Sequence, residues 1–129
     1  MTAAENRWLF GTTVGALRKH VDRWPDRPFV IATEGSICYG EFYQRVNRLA
    51  NWLLEHGVTR GSNVGLLMFN SPDLYVSLLA VHRLGAVANL WNFRLVAKDI
   101  RYLVEVTKAV AVICSAELLP LADGLSGCT

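Results

Sequence analysis

The residue types that most often carry catalysis are sparse in this sequence and stand apart from one another. The cysteines and histidines of the chain are Cys38, Cys114, Cys128, His20, His56 and His82. They form no C-x-x-C pair or other metal-ligand spacing, and no G-x-S-x-G nucleophile elbow occurs. A nucleophile at Cys114, which ends an apolar run, is conceivable, but cysteines at such positions, Cys38 included, are more often small core residues. The residues therefore predict no catalytic and no metal-binding side chain.

Phosphate-binding loops are also missing from the sequence. Neither G-x-G-x-x-G nor G-x-x-x-x-G-K-[ST] occurs, and the apolar runs 64–69 and 86–90 are followed by Asn-Ser-Pro and Trp-Asn-Phe-Arg. In an open parallel sheet, ligands bind beyond the carboxyl ends of the strands. Asn70 and Ser71 lie at one such end and Asn92 and Arg94 at another. Asn92 and Arg94 could hold a polar ligand, or they could equally cap backbone groups of their own loop.

Charge gives little indication of a partner. Thirteen Lys and Arg against eleven Asp and Glu leave a net charge of +2, which does not favour nucleic acid. A small basic cluster surrounds the end of the first predicted helix and comprises Arg18, Lys19, Arg23 and Arg27. Asp22 and Asp26 lie among them, so a solvated face is favoured over a phosphate or RNA site. The tryptophans, more often packing residues than ligand stackers, are Trp8, Trp24, Trp52 and Trp91.

The elements that would position these residues begin with a helix and a hairpin. The chain has 129 residues, 52% of them hydrophobic and 19% charged, which suits one cored domain or a piece of one. After a leader over residues 1–12, an apolar face predicts a helix from Thr13 that Pro25 and Pro28 end. Residues 29–33 and 37–39 are expected to form a β-hairpin around a turn at 34–36. A helix over 40–56 follows, with Gly57 as its left-handed end.

From residue 63 onward, strands alternate with helices. We expect strands at 64–69, 86–90 and 109–114, and helices at 72–84, 98–106 and 117–125. Ser71 and Pro72 suit the cap and first turn of a helix that is apolar almost all round. This order predicts an α/β fold: a partial doubly wound parallel sheet with flanking helices, preceded by an N-terminal helix and β-hairpin.

Nothing in the sequence indicates a membrane or an oxidising compartment. The apolar runs are far shorter than the ~20 residues of a membrane span, and no signal segment is visible at the N-terminus. Three cysteines without pairing pattern suggest a reducing environment. We therefore expect a cytoplasmic protein.

Four motifs occur in an order that is typical of one enzyme family. The first motif is P-D-R-P, within residues 24–29, and the second, over residues 37–50, resembles L-T-Y-x-E-L followed by A-N-R-L-A. The third, over residues 57–72, resembles G-V-x-x-G-D-x-V with N-S-P. The fourth, over residues 84–95, resembles A-G-A with N-x-R-L. Over residues 13–115 the chain resembles the N-terminal part of AMP-forming acyl-CoA synthetases, of the adenylate-forming superfamily. The N-x-R-L form is reminiscent of the fatty-acyl members. Asn63 replaces the usual Asp, and Val96 replaces a helix-capping Thr or Ser.

The resemblance implies an activity for full-length family members and predicts that this chain alone lacks it. Family members activate a carboxylic acid with Mg-ATP to an acyl-adenylate and then transfer the acyl group to coenzyme A. Their Y-T-S-G-T-T-G-x-P-K-G loop, Y-G-x-T-E segment, ribose-binding Asp and C-terminal Lys lie downstream, and none occurs here. Residues 13–129 would thus be an incomplete N-terminal lobe without catalytic or cofactor-binding residues. ATP, Mg and coenzyme A are implied only for a full-length relative.

Three hypotheses remain open at this point. In the first, the chain is the N-terminal segment of a fatty-acid–CoA ligase and is inactive alone. In the second, it is a non-catalytic interaction module that completes a split synthetase in trans. In the third, it is a small nucleotide-binding α/β protein, although the absence of a glycine-rich loop argues against this. Under the first two, an apolar surface should await the rest of the enzyme or a partner. Poor solubility or self-association is then expected of the chain alone.

Overall fold

The computed structural model describes residues 12–125 of the chain, which alternate between helices and short strands. In chain order these are α1 (Thr13–Arg23), β1 (Pro28–Ala32), β2 (Gly35–Cys38), α2 (Tyr39–Glu55), β3 (Asn63–Leu67), α3 (Pro72–Arg83), β4 (Val87–Leu90), α4 (Ala97–Thr107), β5 (Ala111–Cys114) and α5 (Leu119–Ala122). Single 3-10 turns, Ala116–Leu118 and Asp123–Leu125, flank α5. The strand–helix alternation predicted from residue 63 onward is confirmed as far as α4 and β5.

Two sheets organise these elements. β3 is the centre of a three-stranded sheet of order β4-β3-β5, with both neighbours parallel to it. Gly65 lies opposite Asn89 of β4 and Val112 of β5. β1 and β2 form a separate antiparallel hairpin. The parallel sheet and the hairpin expected from the sequence are both present.

Each face of the parallel sheet carries its own apolar cluster. On one side, helices α1, α2 and α3 pack with β3, and the fully buried side chains include Phe42, Val46 and Leu53. These three recur along α2 at helical spacing, so the amphipathic pattern of the sequence sets which face of α2 is buried. The other side holds Leu67, Trp91, Ile100, Val104 and Leu118, from the sheet, α4 and the C-terminal turn. Helices on both faces of a parallel sheet give the doubly wound layering that was predicted.

Helix α3 begins at Pro72, as expected from sequence, and ends at Arg83, one residue before the predicted end. The Ser71 hydroxyl accepts a hydrogen bond from the Leu74 N–H at 3.3 Å, and Pro72 occupies the first turn. Gly85, with φ of 68°, lies in the left-handed region just after the helix. Leu74, Val76, Ser77, Ala80 and Val81 are buried, whereas Tyr75 is 51% exposed.

Two local predictions were wrong. The hairpin turns at Thr33 and Glu34, one residue earlier than expected, and Gly35 already pairs with Ala32. Gly35 has φ of 136°, which a residue with a side chain avoids, so the glycine follows the turn instead of forming its centre. The helix expected over 117–125 is broken into short turns, because Pro120 has no N–H to continue a helix and therefore starts a new one.

The ends of the chain bear on two further expectations. Residues 1–11 of the predicted leader, Trp8 and Cys128 lie outside the described residues. Thr12, counted with the leader, belongs to α1 as its N-cap, since its hydroxyl accepts from the Gly15 N–H at 3.0 Å.

Between residues 12 and 125 no helix combines the length and apolar character that a membrane span needs.

Candidate functional site

The carboxyl ends of the three parallel strands form one connected edge. The Ser115 N–H, just after β5, donates to the Leu67 carbonyl at 3.1 Å, and the Ser115 hydroxyl accepts from the Phe69 N–H at 3.0 Å. On the opposite side of β3, the Trp91 N–H donates to the Leu66 carbonyl at 2.9 Å. These bonds hold the loops after β3, β4 and β5 side by side, which is where ligands bind in this class of sheet.

Trp91 lies flat against the middle of β3. The indole is 7% exposed, and a Cβ on Gly65 would lie 2.4 Å from its Cη2 atom. No side chain larger than hydrogen fits at residue 65 unless the ring moves. Sequence reasoning did not single out Gly65. A glycine inside an otherwise apolar strand was the signal that could have found it, because such a glycine often marks a close approach.

Asn92 uses its side chain within its own loop. Its Oδ1 accepts from the Arg94 N–H at 2.9 Å, and its carbonyl accepts from the Leu95 N–H at 3.1 Å. The side chain thus closes the turn after β4, the second of the two roles considered for it. Its amide nitrogen has no recorded partner within residues 12–125 and remains available to a ligand.

Arg94 extends from this turn beside an aromatic pair. The ring of Phe93 meets that of Phe69 edge-on at 5.0 Å between centroids, and the Arg94 guanidinium lies 5.8 Å from the Phe93 centroid. No carboxylate among the described residues pairs with this guanidinium, so it could bind an anionic group. Asn92, Arg94 and the Phe69–Phe93 pair come together at the strand edge; Ser71 instead caps α3.

Cys114 does not have the environment of a nucleophile. Burial raises the pKa of the Cys114 thiol, and the nearby negative charge of Asp123 raises it further. Both effects favour the thiol over the thiolate, which is the reactive form. Cys38 is half-buried in β2, and neither it nor Cys114 forms a disulfide within the described residues.

The histidines and the basic cluster have local structural contacts. The imidazoles of His20 and His56 donate to the carbonyls one turn earlier, at 2.8 and 2.7 Å, and His82 contacts the Thr13 hydroxyl at 3.2 Å. The guanidiniums of Arg23 and Arg27 stack on Trp24. Within residues 12–125 no three potential metal ligands of the His, Cys, Asp and Glu types lie together.

Comparison with known proteins assigns this architecture to a family. The AMP-binding enzyme family matches residues 17–127. The 3-hydroxybenzoate–CoA ligase of Aromatoleum is 36% identical over 102 residues, which are 79% of this chain and 20% of that protein. The medium/long-chain-fatty-acid–CoA/3-oxocholest-4-en-26-oate–CoA ligase of Mycolicibacterium smegmatis is 31% identical over 78% of this chain and 18% of that protein.

A solved structure agrees with the sequence matches. The N-terminal domain of FACL13 from Mycobacterium tuberculosis superposes with a TM-score of 0.81 at 27% identity, over 88% of this chain and 29% of that chain. The present chain therefore spans about a fifth of the length of its curated relatives and under a third of that single domain. The family match, the relatives and the fold agree: the chain belongs to the AMP-binding enzyme family and corresponds to an N-terminal part of its CoA ligases.

Proposed function

We propose that this chain is the N-terminal part of an ATP-dependent CoA ligase. In the whole enzyme, a carboxylic acid and ATP give an acyl-adenylate and pyrophosphate, and coenzyme A then displaces AMP to form a thioester. The observation that carries the proposal is the family match over residues 17–127 on a doubly wound half-sheet. Because the sequence contains no glycine-rich phosphate loop, the chain is expected to be inactive by itself.

A fatty acid is the proposed substrate class. The N-x-R-L motif at residues 92–95 supports this choice through its resemblance to fatty-acyl members. The relatives leave an aromatic acid as the alternative, since one acts on 3-hydroxybenzoate and another on medium and long fatty acids. ATP, Mg and coenzyme A are the proposed cofactors of the complete enzyme, with their binding residues outside this chain.

The deciding experiment starts from the gene product in its own cells. Its intact mass is measured, and the purified protein is assayed for AMP release with coenzyme A and either palmitate or 3-hydroxybenzoate. We expect a mass several tens of kDa above 14.3 kDa and AMP release that depends on the acid. The recombinant 129-residue chain is the control and should release none. Release by the control would contradict the proposal, and a faster rate with 3-hydroxybenzoate would reject the fatty acid.

A second candidate role is that of a lobe that completes a split synthetase in trans. The exposure of fourteen large hydrophobic side chains among the described residues favours it, because an interaction module needs such a surface. A native mass of 14.3 kDa, with co-purification of a protein bearing the Y-T-S-G-T-T-G loop, would support this role over the first.

A further inference from the structure

A cleft opens where the first turn of helix α1 meets the last turn of helix α3, beside the second half of α2. Its volume is about 540 Å³. Each of the three helices supplies part of its walls, among them Arg18, Asn51 and Arg83. The Nδ1 atom of His82 lies 3.2 Å from the Thr13 hydroxyl, which links the end of α3 to the start of α1. The cleft is therefore framed by regular elements that contact one another.

The cleft lies at the amino ends of the parallel strands. Leu84 and Gly85, which line it, join α3 to β4. The Gly61 N–H, just before β3, donates to the Gly85 carbonyl at 2.9 Å. Asn92 and Arg94 lie instead beyond the carboxyl end of β4. The length of the strands thus separates the cleft from the candidate site, so a molecule bound here would not occupy the strand edge.

Arginines that no carboxylate neutralises give the cleft its charge. Within residues 12–125, neither Asp nor Glu lines it. The Arg18 side chain has no hydrogen-bond or ion-pair partner in this part of the chain. The Arg83 guanidinium donates to the neutral Tyr43 hydroxyl at 3.1 Å and pairs with no described carboxylate. The stem of Arg60 lies against Gly85, since a Cβ there would be 3.2 Å from its Cγ atom. Three positive charges therefore lie at or beside the cleft.

The helix ends at the cleft do not reverse its sign. Each helix end carries about half an elementary charge, positive at the start of α1 and negative at the end of α3, so the two contributions largely cancel. Asp22 of α1 and Glu55 of α2 do not line the cleft, and neither forms an ion pair with its arginines. The guanidiniums therefore set a positive local potential, which favours an anion.

The walls indicate what kind of anion fits. A guanidinium recognises phosphate oxygens through parallel, charge-assisted hydrogen bonds. The cleft has the size of small-molecule sites, about 300–1,000 Å³, and is larger than a phosphate group alone requires. Val14, Leu54 and Leu84 supply apolar wall. An organic group attached to the phosphate would cover this apolar surface.

We propose that the cleft between α1, α2 and α3 binds a small phosphate monoester. Arg18 and Arg83 bind the phosphate from two different helices, and the Tyr43 hydroxyl helps to hold the Arg83 guanidinium. The organic part of the ester packs on Leu54 and its apolar neighbours. This site is additional to the proposed function and does not depend on it, because no residue of the strand edge takes part.

Isothermal titration calorimetry of the 129-residue chain with phenyl phosphate tests the proposal. At constant ionic strength we expect saturable binding of one molecule per chain. Inorganic phosphate lacks the apolar group, and benzoate carries a single carboxylate charge, so each should bind at least about threefold more weakly. The absence of saturable binding of phenyl phosphate up to about 10 mM would overturn the proposal. Equally tight binding of benzoate would overturn the assignment to a phosphate.

Three arginine variants test which residues hold the phosphate. Arg18→Gln and Arg83→Gln should each weaken binding of phenyl phosphate at least about fivefold. Arg101, exposed on α4 on the other face of the sheet, provides the matched control, since Arg101→Gln removes the same charge away from the cleft. Equal weakening by all three variants would overturn the proposal, because it would show a general attraction to a positive protein.

The folding of each variant is checked by its thermal midpoint without ligand. Arg18 is exposed and makes no recorded side-chain contact, so Arg18→Gln decides the test even if Arg83→Gln fails to fold. Arg94→Gln serves to locate the bound molecule. If it abolishes binding while Arg18→Gln does not, the phosphate binds at the strand edge and the proposal is wrong.

The outcomes are separable from those of the proposed function. The 129-residue chain is expected to release no AMP and yet to bind phenyl phosphate. A chain that fails to bind the ester would refute the cleft and leave the assignment to a CoA ligase untouched. A native gene product without ligase activity would refute that assignment and leave the calorimetry of the cleft unaffected.

Discussion

At the scale of single residues, the contact between Gly65 and Trp91 is the tightest constraint on the sheet. A methyl group at residue 65 would overlap the indole, with 2.4 Å to its nearest atom. We therefore expect Gly65→Ala to lower the free energy of unfolding by about 1–3 kcal/mol, as overpacking of a core does. Urea unfolding of the 129-residue chain, followed by tryptophan fluorescence and circular dichroism, measures the change.

A double-mutant cycle is the control for this prediction. Trp91→Leu removes the ring and leaves a cavity, so it destabilises the chain by itself. In the Trp91→Leu background, adding Gly65→Ala should then be nearly neutral or stabilising, because the methyl group enters vacated space. Additive effects of the two substitutions would show that the indole does not occupy the space above Gly65.

Cys114 illustrates how the surroundings of a thiol can disfavour its reactive, ionised form. Burial and the charge of Asp123 both raise the pKa of its thiol, so at pH 8 its thiolate fraction is below that of the unfolded chain. Iodoacetamide should therefore label Cys114 more slowly in the folded chain than in urea, as read by peptide mass spectrometry. Asp123→Asn should speed labelling of the folded chain, since it removes the smaller of the two causes.

The same pKa shift sets the sign of a pH effect on stability. When folding raises the pKa of a thiol, the free energy of unfolding does not depend on that thiol below its unfolded pKa. Above that pH the thiol ionises in the unfolded chain first, which favours the unfolded state. Stability should thus fall as the pH rises through the alkaline range where the free thiol ionises. The Cys114→Ser variant should lack this component of the fall, and an identical pH profile for the two proteins would contradict the shift.

At the scale of elements, two helices differ in how they begin. α3 has Ser71 as a side-chain cap, whereas Val96 before α4 has no side-chain acceptor and receives the Asp99 N–H only on its backbone carbonyl, at 2.9 Å. The Asp99 carboxylate accepts from the Val96 N–H at 3.4 Å, which leaves the reciprocal bond of a capping box unmade. The departure of Val96 from the family pattern, noted in the sequence, therefore has a visible structural consequence.

Matched substitutions at these two caps should act in opposite directions. Ser71→Ala should lower the free energy of unfolding by about 1 kcal/mol, because the Leu74 N–H loses its side-chain acceptor and keeps only the Ser71 carbonyl. Val96→Thr should raise it by roughly 0.5–1 kcal/mol, since the new hydroxyl adds a side-chain acceptor for the Asp99 N–H beside the Val96 carbonyl and completes the box. Urea unfolding of both variants and their double mutant measures this. Destabilisation by Val96→Thr would show that packing of Val96 outweighs capping.

The elements predictable from sequence are those determined by local spacing. The repeat of Phe42, Val46 and Leu53 marks the buried face of α2, and Ser71-Pro72 marks the start of α3. The turn of the β1–β2 hairpin lies one residue earlier than predicted, because Ala32 pairs with Gly35 across Thr33 and Glu34 and Gly35 has a positive φ. Local patterns carry no information about that closure.

The candidate site was predictable in place but not in role. The rule for parallel strand ends pointed to Asn92 and Arg94, which do lie at the edge beside Phe93. That rule could not predict that the side-chain oxygen of Asn92 accepts a hydrogen bond within its own loop, or that the Trp91 ring packs on Gly65 of β3. Both contacts depend on tertiary structure, and the second joins residues twenty-six positions apart in sequence.

At the scale of the whole molecule, the parallel sheet has two open edges. β3 is the only strand of the three with a neighbour on each side in the described part of the chain. The outer strand β4 reads Val87-Ala88-Asn89-Leu90 and carries no charge and no proline, the devices with which sheet edges usually resist pairing. Val87 and Leu90 are 48% and 60% exposed. An uncharged edge of this kind favours association through β4.

We therefore expect the 129-residue chain by itself to self-associate and to bind a hydrophobic dye. Leu90→Lys places a charge on the β4 edge and should shift the chain towards monomer in light scattering, because pairing would bury an uncompensated ammonium. Tyr102→Lys, at a 63% exposed position on α4, adds the same charge away from the sheet edge and should leave association unchanged. Equal effects of the two variants would indicate general charge repulsion. A monodisperse wild-type monomer without dye binding would contradict association through the β4 edge.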